Sequence, residues 1–269
     1  MTRPPGRLVL LGHPVGHSLS PAFQNAALRC AGVPLEYVAL DVAPADLAGT
    51  LLALRGARAA GNVTIPHKVA VLRACTEVTP VAARAGAVNT FWTRDDGALA
   101  GDNTDVAGFA AAVRDLLGRA PDRGQVAVLG CGGAAAAVLV AAESWQGGAL
   151  RLWSRRAEAA HELAARFRVV AHPHESMAAA ITGAALVINA TPIGMSEDAL
   201  PCPLEWLDPG AAVLDLVYRR GETAFVRAAR ARGHIAADGL TMLLEQGALA
   251  FERWFGVAPD RAAMRASVA

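Results

Sequence analysis

The chain has 269 residues, of which 54% are hydrophobic and 18% are charged, so it can form one large domain or two smaller ones and is not a disordered protein. Its formal net charge of +1 provides no basic patch for nucleic acid or for an anionic membrane, and none of its apolar runs is as long as a membrane span. The four cysteines lie far apart without a CxxC pair, which predicts reduced thiols and no disulfide frame. We therefore expect a cytoplasmic globular protein that binds neither nucleic acid nor membrane.

Apolar, strand-like runs alternate with helical patterns along the chain, which is typical of an α/β fold. Ser20 is predicted to be the N-cap of the first helix, with Pro21 in its first turn, because a serine hydroxyl accepts a free N–H there and proline needs no partner. In the first hundred residues the patterns predict strands at 7–11, 37–40 and 62–64, a hairpin of 88–92 with 98–101, and helices at 21–30, at 45–54 and from Pro66 onward.

A long amphipathic helix is predicted at residues 105–117, and we place the start of a second domain at about residue 104, with this helix as the connector. The HPHE segment at 172–175 contains metal-ligand residue types, but no further ligands lie near it in the sequence, so we predict a solvated loop and no metal site. Apolar runs after the helix predict strands at 126–129, 149–153, 186–189 and 213–216.

The GCGGAA segment (residues 130–135) directly follows a predicted strand and opens a predicted helix. It matches G-x-G-x-x-A, a variant of the dinucleotide-binding turn. In that turn the glycines let a pyrophosphate approach the backbone, and the N–H groups of the helix terminus bind it. The strand-turn-helix context predicts a dinucleotide site, and a tight turn without a ligand is the alternative.

The next predicted strand ends at Ser154, Arg155 and Arg156, where an NAD enzyme usually carries Asp or Glu for the ribose 2′-hydroxyl. Two arginines and a hydroxyl suit a phosphate instead, because a guanidinium pairs with phosphate in a forked geometry. This segment therefore predicts NADP rather than NAD. The alternative is a pair of exposed arginines at a helix start, although cations there are mildly unfavourable.

Four short polar stretches occupy the ends of predicted strands and helices in the first domain. Ligands of open α/β folds bind beyond the carboxyl ends of the strands, so these side chains together suit a small polyhydroxylated acid. The alternative is that they only cap helices and satisfy turns, which would then have to hold for all four. The stretches are HSLS (17–20), NVTIPHK (62–68), AVNT (87–90) and GDNTD (101–105).

Lys68, in the second of these stretches, is the only lysine of the chain, and the other 24 of its 25 cationic side chains are arginines. Lysine can release its proton in a protein, whereas arginine cannot. The single lysine therefore predicts a titratable cation that takes part in proton transfer. An arginine-biased composition with one remaining lysine is the alternative.

Seven segments, in order along nearly the whole chain, resemble motifs of the shikimate dehydrogenase family. The resemblance implies an α/β substrate domain (residues 1–103) that is completed by the C-terminal helix (238–269), and a Rossmann NADP-binding domain (104–237). It also implies the reversible NADP-dependent oxidation of shikimate to 3-dehydroshikimate, which serves aromatic amino-acid biosynthesis. The segments are GHPVGHSLSP (12–21), GNVTIPHK (61–68), AGAVNT (85–90), GDNTDVAGF (101–109), NATPIGM (189–195), DLVY (215–218) and residues 238–256 with LLEQGA (243–248).

The resemblance also implies roles for single residues, with Lys68 and Asp105 as the catalytic pair. The substrate would contact Ser18, Ser20, Thr64, Asn89, Tyr218 and Gln246. The cofactor would contact Gly130, Gly132, Gly133, Ala134, Ser154, Arg155, Arg156, Thr191, Met195 and Gly239. The chain departs from the family pattern at Gln24 (often His), Ala136 (commonly Arg), Ser154 (Asn), Arg156 (Thr) and Arg219-Arg220 (Pro).

Two other functions remain open at this point. One is a quinate/shikimate dehydrogenase paralogue that uses NAD or NADP, and the other is a non-catalytic dinucleotide-binding sensor on the same fold. A sensor would keep the glycine turn but would not need Lys68 and Asp105 together. For any of these we expect small-molecule ligands and a monomer or a homodimer.

Overall fold

A computed structural model of the chain describes residues 4–121, 124–145, 147, 149–167, 169–172 and 174–268. Its backbone contacts divide into two compact units. The first unit is Met1–Asp105 with Leu243–Ala269, and the second is Val106–Met242.

The first unit contains a mixed sheet in the order β2-β1-β3-β5-β6-β4. Strand β1 pairs in parallel with β2 and β3, β5 is antiparallel to β3 and β6, and β4 is parallel to β6. The carboxyl ends of β1, β3 and β6 therefore meet at one edge of the sheet. The strands are β1 (Arg7–Gly12), β2 (Tyr37–Asp41), β3 (Ala59–Val63), β4 (Glu77–Val78), β5 (Thr90–Thr93) and β6 (Leu99–Asp102).

Helices on this sheet bury its central strands. The fully buried Val9 and Phe91 of the sheet pack in one core with Leu51 and Val71 from two of the helices. Such burial contributes about 1.5–3 kcal/mol for each large side chain. The first four helices are α1 (Ser20–Cys30), α2 (Leu47–Gly56), α3 (Lys68–Ala74) and α4 (Pro80–Ala85), and a short 3₁₀ turn (Pro44–Asp46) precedes α2.

Two helix starts differ from the sequence prediction. Ser20 is the first residue of α1 rather than its N-cap, because the hydroxyl of Ser18 accepts the N–H of Ser20 at 3.2 Å and Leu19 takes the cap position. Helix α3 begins at Lys68 rather than at Pro66, because residues 64–67 first close a turn in which the N–H of His67 donates to the Thr64 carbonyl at 2.9 Å.

Strand β3 begins three residues before its predicted start at 62. Its small residues do not show a strand pattern, yet all five of them pair with residues 7–11 of β1. A Cβ at Gly61 would lie 2.0 Å from the Val9 carbonyl oxygen, so only glycine permits this approach of the two backbones.

The second unit contains a parallel sheet in the order β12-β11-β10-β7-β8-β9, which is the doubly wound Rossmann order. Its strands are β7 (Gln125–Leu129), β8 (Ala149–Trp153), β9 (Val170–His172), β10 (Ala184–Asn189), β11 (Ala212–Asp215) and β12 (Ala236–Ala237). Its helices are α5 (Asp105–Leu117), α6 (Gly133–Ala142), α7 (Ala157–Phe167), α8 (Met177–Ile181) and α9 (Ala224–Ala231).

Helices cover both faces of this sheet. Val126 and Val128 of β7 belong to one core cluster, and Ala127 and Leu129 between them belong to another. Because side chains of a strand alternate between faces, a sheet that is buried on both sides needs the continuous apolar run found in the sequence.

The segment at 172–175 is not the loop that its sequence suggests. His172 ends β9 and residues 174–176 form a 3₁₀ turn, whereas Pro173 lies outside the described residues. A further 3₁₀ turn is Leu204–Trp206.

The chain ends with α10 (Leu240–Phe255) and α11 (Arg261–Ala266), which pack mainly on the first unit. Helix α11 contacts α1. A Cβ at Gly247 would lie 2.4 Å from the ring of Phe23, so α10 and α1 are in close contact there. The C-terminal helices thus belong mainly to the first unit. Among the residues described, no helix combines the length and the apolar character that crossing a bilayer requires.

Candidate active site

An ion pair lies at the carboxyl edge of the first sheet. Lys68 opens α3 after β3, and Asp105 opens α5 after β6. Lys68 Nζ lies 2.6 Å from Asp105 Oδ2, and the two side chains are only 18% and 8% exposed. A charge-assisted hydrogen bond of this length holds the ammonium group in one place.

Asn89 fixes the other oxygen of the same carboxylate. Its Nδ2 lies 2.8 Å from Asp105 Oδ1, and it is also within hydrogen-bond distance of Thr104 Oγ1 (3.0 Å) and Gln246 Oε1 (3.1 Å). The Oδ1 of Asn89 accepts the N–H of Thr104 at 2.7 Å. Both oxygens of Asp105 are therefore bound, and Gln246 of α10 joins the same group.

A buried chain of hydrogen bonds connects this group to side chains within the first sheet. Thr104 Oγ1 lies 3.1 Å from Thr90 Oγ1, Asn62 Nδ2 donates to Thr90 Oγ1 at 3.0 Å, and the Tyr37 hydroxyl donates to Asn62 Oδ1 at 2.9 Å. The sequence placed Asn62, Thr90 and Thr104 in polar stretches but gave none of them a role of its own. Their signal was the presence of Asn62 and Thr90 in otherwise apolar strands, because a buried polar side chain needs a partner.

Three hydroxyl residues lie on the segments that leave β1 and β3 at this same edge. Ser18 accepts the N–H of Ser20, as described above. The hydroxyls of Ser20 and Thr64 have no hydrogen-bond partner among the described residues, although Ser20 is only 4% exposed. Two uncommitted hydroxyls at the carboxyl edge are available to a ligand.

The predicted dinucleotide turn has the required shape. Gly130 has φ of 117°, and a Cβ there would lie 2.6 Å from the Ala190 carbonyl oxygen, so only glycine fits. Gly132 precedes α6, supplies no side-chain cap, and a Cβ on it would meet nothing within 4 Å. The space over the first turn of α6, which begins with Gly133 and Ala134, is open for a pyrophosphate on the free N–H groups.

The residues after β8 form a small cluster beside this turn. The buried Ser154 accepts hydrogen bonds from Cys131 Sγ at 3.1 Å and from the N–H of Arg156 at 3.2 Å. The Nη2 of Arg156 lies 3.5 Å from Cys131 Sγ. Arg155 and Arg156 are exposed, and neither has a carboxylate partner within the described ranges. Two unpaired guanidinium groups beside a dinucleotide turn fit a cofactor that carries a phosphate on its ribose.

The remaining predicted cofactor residues Thr191, Met195 and Gly239 lie after β10 and β12, and the predicted substrate residue Tyr218 lies after β11. Asn189 Oδ1 accepts the N–H and the hydroxyl of Thr191 at 3.0 and 2.6 Å, and Met195 of the same loop is 38% exposed. The half-buried Tyr218 follows β11. A Cβ at Gly239 would lie 2.3 Å from the Leu216 carbonyl oxygen.

Asp215, at the end of β11, is completely buried and was not singled out from the sequence. Burial raises the pKa of Asp215 to about 6, and hydrogen bonds from Thr223, Asn189 and Val217 act against this rise. Its signal was an acid that ends the apolar run AVLD. Among the residues described, no three His, Cys, Asp or Glu side chains are arranged to hold a metal ion.

Comparison with known proteins gives two family matches. Residues 10–91 match the shikimate dehydrogenase substrate binding domain, and residues 239–269 match the shikimate 5′-dehydrogenase C-terminal domain. The chain is 45% identical to a shikimate dehydrogenase (NADP(+)) of Rubrobacter xylanophilus, with 95% of this chain and 93% of the relative covered.

Solved structures agree with these matches. The chain is similar to a shikimate 5-dehydrogenase from Thermus thermophilus in complex with NADP(H) and shikimate, with 40% identity, a TM-score of 0.86, and 97% of this chain and 98% of the other covered. A quinate dehydrogenase from Corynebacterium glutamicum in complex with NAD has 32% identity and also a TM-score of 0.86, with 97% of each chain covered.

Proposed function

This chain belongs to the shikimate dehydrogenase family, and we propose that it catalyses the reversible NADP-dependent reduction of 3-dehydroshikimate to shikimate. The observation that carries this function is the Lys68–Asp105 pair at the carboxyl edge of the first sheet. A protein that only senses a dinucleotide does not need a fixed ammonium group in a polar pocket.

The chemistry divides between cofactor and protein. When bound, NADPH supplies the hydride that reduces the substrate carbonyl carbon. Lys68 stabilises the negative charge that develops on the carbonyl oxygen and gives that oxygen a proton from Nζ. Asp105 holds Nζ in place and Asn89 holds Asp105. In the reverse reaction Lys68 accepts the proton again.

The substrate site is assigned to residues 1–103 with 238–269. Ser18 and Ser20 bind the carboxylate, and Thr64, Asn89 and Gln246 contact the ring hydroxyls. The uncommitted hydroxyls of Ser20 and Thr64 support this assignment. Tyr218 is also assigned to substrate binding.

The cofactor site is assigned to residues 104–237 together with Gly239. Gly130, Gly132, Gly133 and Ala134 receive the pyrophosphate, and the open first turn of α6 supports this role. Ser154, Arg155 and Arg156 bind the 2′-phosphate. Thr191, Met195 and Gly239 line the remainder of the site. We place the enzyme in the cytoplasm as a monomer or homodimer that binds neither nucleic acid nor membrane.

A second candidate is the oxidation of quinate, since a quinate dehydrogenase is among the similar solved structures. No described residue excludes the additional hydroxyl of quinate. The arginines after β8 favour NADP in either case, because NAD has no 2′-phosphate to pair with them.

The test is cofactor reduction, followed by the absorbance of the reduced nicotinamide, with shikimate or quinate and with NADP or NAD. We expect fast turnover only with shikimate and NADP. Comparable rates with quinate or NAD would assign the enzyme to the quinate group. If folded protein binds NADP but turns over no pair, the dehydrogenase function is wrong.

A further inference from the structure

One buried carboxylate joins the loops that leave β10 and β11. Asp215 Oδ1 accepts hydrogen bonds from Asn189 Nδ2 at 2.8 Å and from the Val217 N–H at 3.1 Å. Its Oδ2 accepts one from Thr223 Oγ1 at 2.7 Å, just before α9. Asp215 therefore connects both loops to the start of α9.

Asn189 extends this connection to the loop at 190–195. Its Nδ2 faces Asp215 and the Ile193 carbonyl (3.1 Å), and its Oδ1 accepts both hydrogen bonds from Thr191. An ionised carboxylate can only accept, so it holds Nδ2 of Asn189 on its side, as the Ile193 carbonyl does, while Oδ1 is turned to Thr191. The charge of Asp215 strengthens the hydrogen bond that anchors this amide.

Within the part of the chain that the structure describes, no cationic side chain pairs with Asp215. The negative charge of Asp238 raises the pKa of Asp215 further, in addition to burial. Arg227, on the adjacent helix α9, is turned away and donates to Asp198 at 2.9 Å and to the Glu222 carbonyl at 2.6 Å. At neutral pH the ionised form is therefore held by neutral donors alone, and a modest fall in pH is enough to protonate it.

We propose that ionised Asp215 is a positioning residue that acts through Asn189 to hold residues 190–195 in the conformation that binds NADP, and that its protonation releases this loop. The inference rests on the proposed function, because Thr191 and Met195 meet a cofactor only if the chain binds NADP. Protonation replaces the charge-assisted hydrogen bond from Asn189 Nδ2 with a weaker neutral one, so Asn189 and the contacts of Thr191 with it are held less firmly. NADP binding therefore weakens in mild acid.

The same proton increases the stability of the folded protein, whereas it weakens NADP binding. The pKa of Asp215 is higher in the folded protein than its ordinary value of 3.8, so the folded state binds the proton more tightly. The stability that this proton contributes is present at low pH and is lost as the pH rises through about 6. Weaker NADP binding in mild acid therefore does not follow from unfolding at Asp215.

The first test is calorimetric titration of the full chain with NADP between about pH 5 and pH 8. Asp215→Asn keeps the shape of the side chain and resembles the protonated acid. We expect this variant to bind NADP about tenfold more weakly than the natural protein at the high end of the range, as for a lost charge-assisted hydrogen bond, and equally at the low end. If the NADP affinities of the two proteins changed in parallel with pH, the proposal would be overturned. The 2′-phosphate of NADP also titrates near pH 6, and the comparison removes its contribution.

Thr223 provides a second test that does not depend on the folding of the first variant. Thr223→Val removes a hydrogen bond that favours the ionised carboxylate, so the acid midpoint of NADP binding moves to higher pH. Thr223→Ser keeps the hydroxyl and the original midpoint. Because Thr223 also caps α9 through the Val226 N–H at 3.3 Å, thermal unfolding is measured alongside. A lowered Tm with an unmoved midpoint would leave Thr223 and Asp215 a structural role only and overturn the proposal.

These measurements separate the inference from the function on which it rests. Failure of the natural protein to bind NADP at any pH would refute both. Normal turnover and NADP binding, with the same pH dependence in the natural protein and the variants, would refute only the positioning role of Asp215.

Discussion

The candidate sites of the two units differ in how their charged side chains are balanced. In the first, Lys68 and Asp105 neutralise each other across 2.6 Å in a largely buried setting. In the second, the buried Asp215 has only neutral donors, and Arg155 and Arg156 are exposed without a carboxylate partner in the ranges described. Charge is thus balanced within the protein at one site and left for a ligand to balance at the other.

This difference matches what each ligand brings. A carbonyl or hydroxyl group carries no net charge before it reacts. The site that acts on it therefore needs a proton donor held in place beside the reacting oxygen. A phosphorylated dinucleotide carries negative charges that pair with waiting cations. Changes in the first unit should therefore reduce kcat, and changes near Arg155 should reduce affinity for NADP.

The largest effect is expected at Lys68. Loss of a general acid–base group lowers the rate by about 10²–10⁴-fold, so Lys68→Ala should lose most of its kcat. Lys68→Arg keeps the positive charge but cannot readily release a proton, and we expect it to restore little. Initial rates with saturating shikimate and NADP measure this. Arg73→Ala, an exposed cation on the same helix, is the matched control. Turnover near the natural rate in Lys68→Arg would disprove proton transfer by Lys68.

A somewhat smaller loss of kcat, about 10²-fold, is expected for Asp105→Asn, because the neutral amide holds Lys68 less firmly. The two residues act as one unit, so the double variant with Lys68→Ala should be no slower than Lys68→Ala alone. Asp115→Asn, farther along α5, serves as the control. If Asp105→Asn raised only KM for shikimate at an unchanged kcat, Asp105 would bind substrate without a part in the chemistry.

The smallest effect is expected at Arg155. Removal of a charge-assisted hydrogen bond from an exposed arginine should raise KM for NADP about tenfold. KM for NAD should stay the same, since NAD lacks the 2′-phosphate. Arg166 is an exposed arginine on α7, the helix that follows Arg155, and Arg166→Ala controls for the loss of positive charge. An equal change in KM for NADP and for NAD would disprove the 2′-phosphate contact.

Much of the fold could be predicted from local pattern. The α/β class and the resemblance to the shikimate dehydrogenase family are confirmed, and α5 has the predicted bounds. The errors have local causes, such as the small residues that conceal the start of β3. The two-residue strands β4 and β12 and the six-residue α11 depend on neighbours that are distant in the sequence, so no periodicity marks them.

The candidate site was predicted less completely, because its geometry joins distant residues. Asn89 and Gln246 are 157 positions apart, and a single sequence gives no distance between them. The catalytic and binding roles of the candidate site residues stay predictions. Asn62, Thr90 and Asp215 lie in segments that the sequence singled out, but their individual roles were missed because each also stands in a largely apolar strand.

The single lysine has a practical consequence. Reductive methylation with isotope-labelled formaldehyde would place labelled methyl groups on the side-chain amine of Lys68 and on the chain terminus, and on no other amine of this chain. The nuclear magnetic resonance spectrum of such a sample would contain one side-chain amine signal, already assigned. Its chemical shift would report on the surroundings of the Lys68 amine, without any amino-acid substitution in the site.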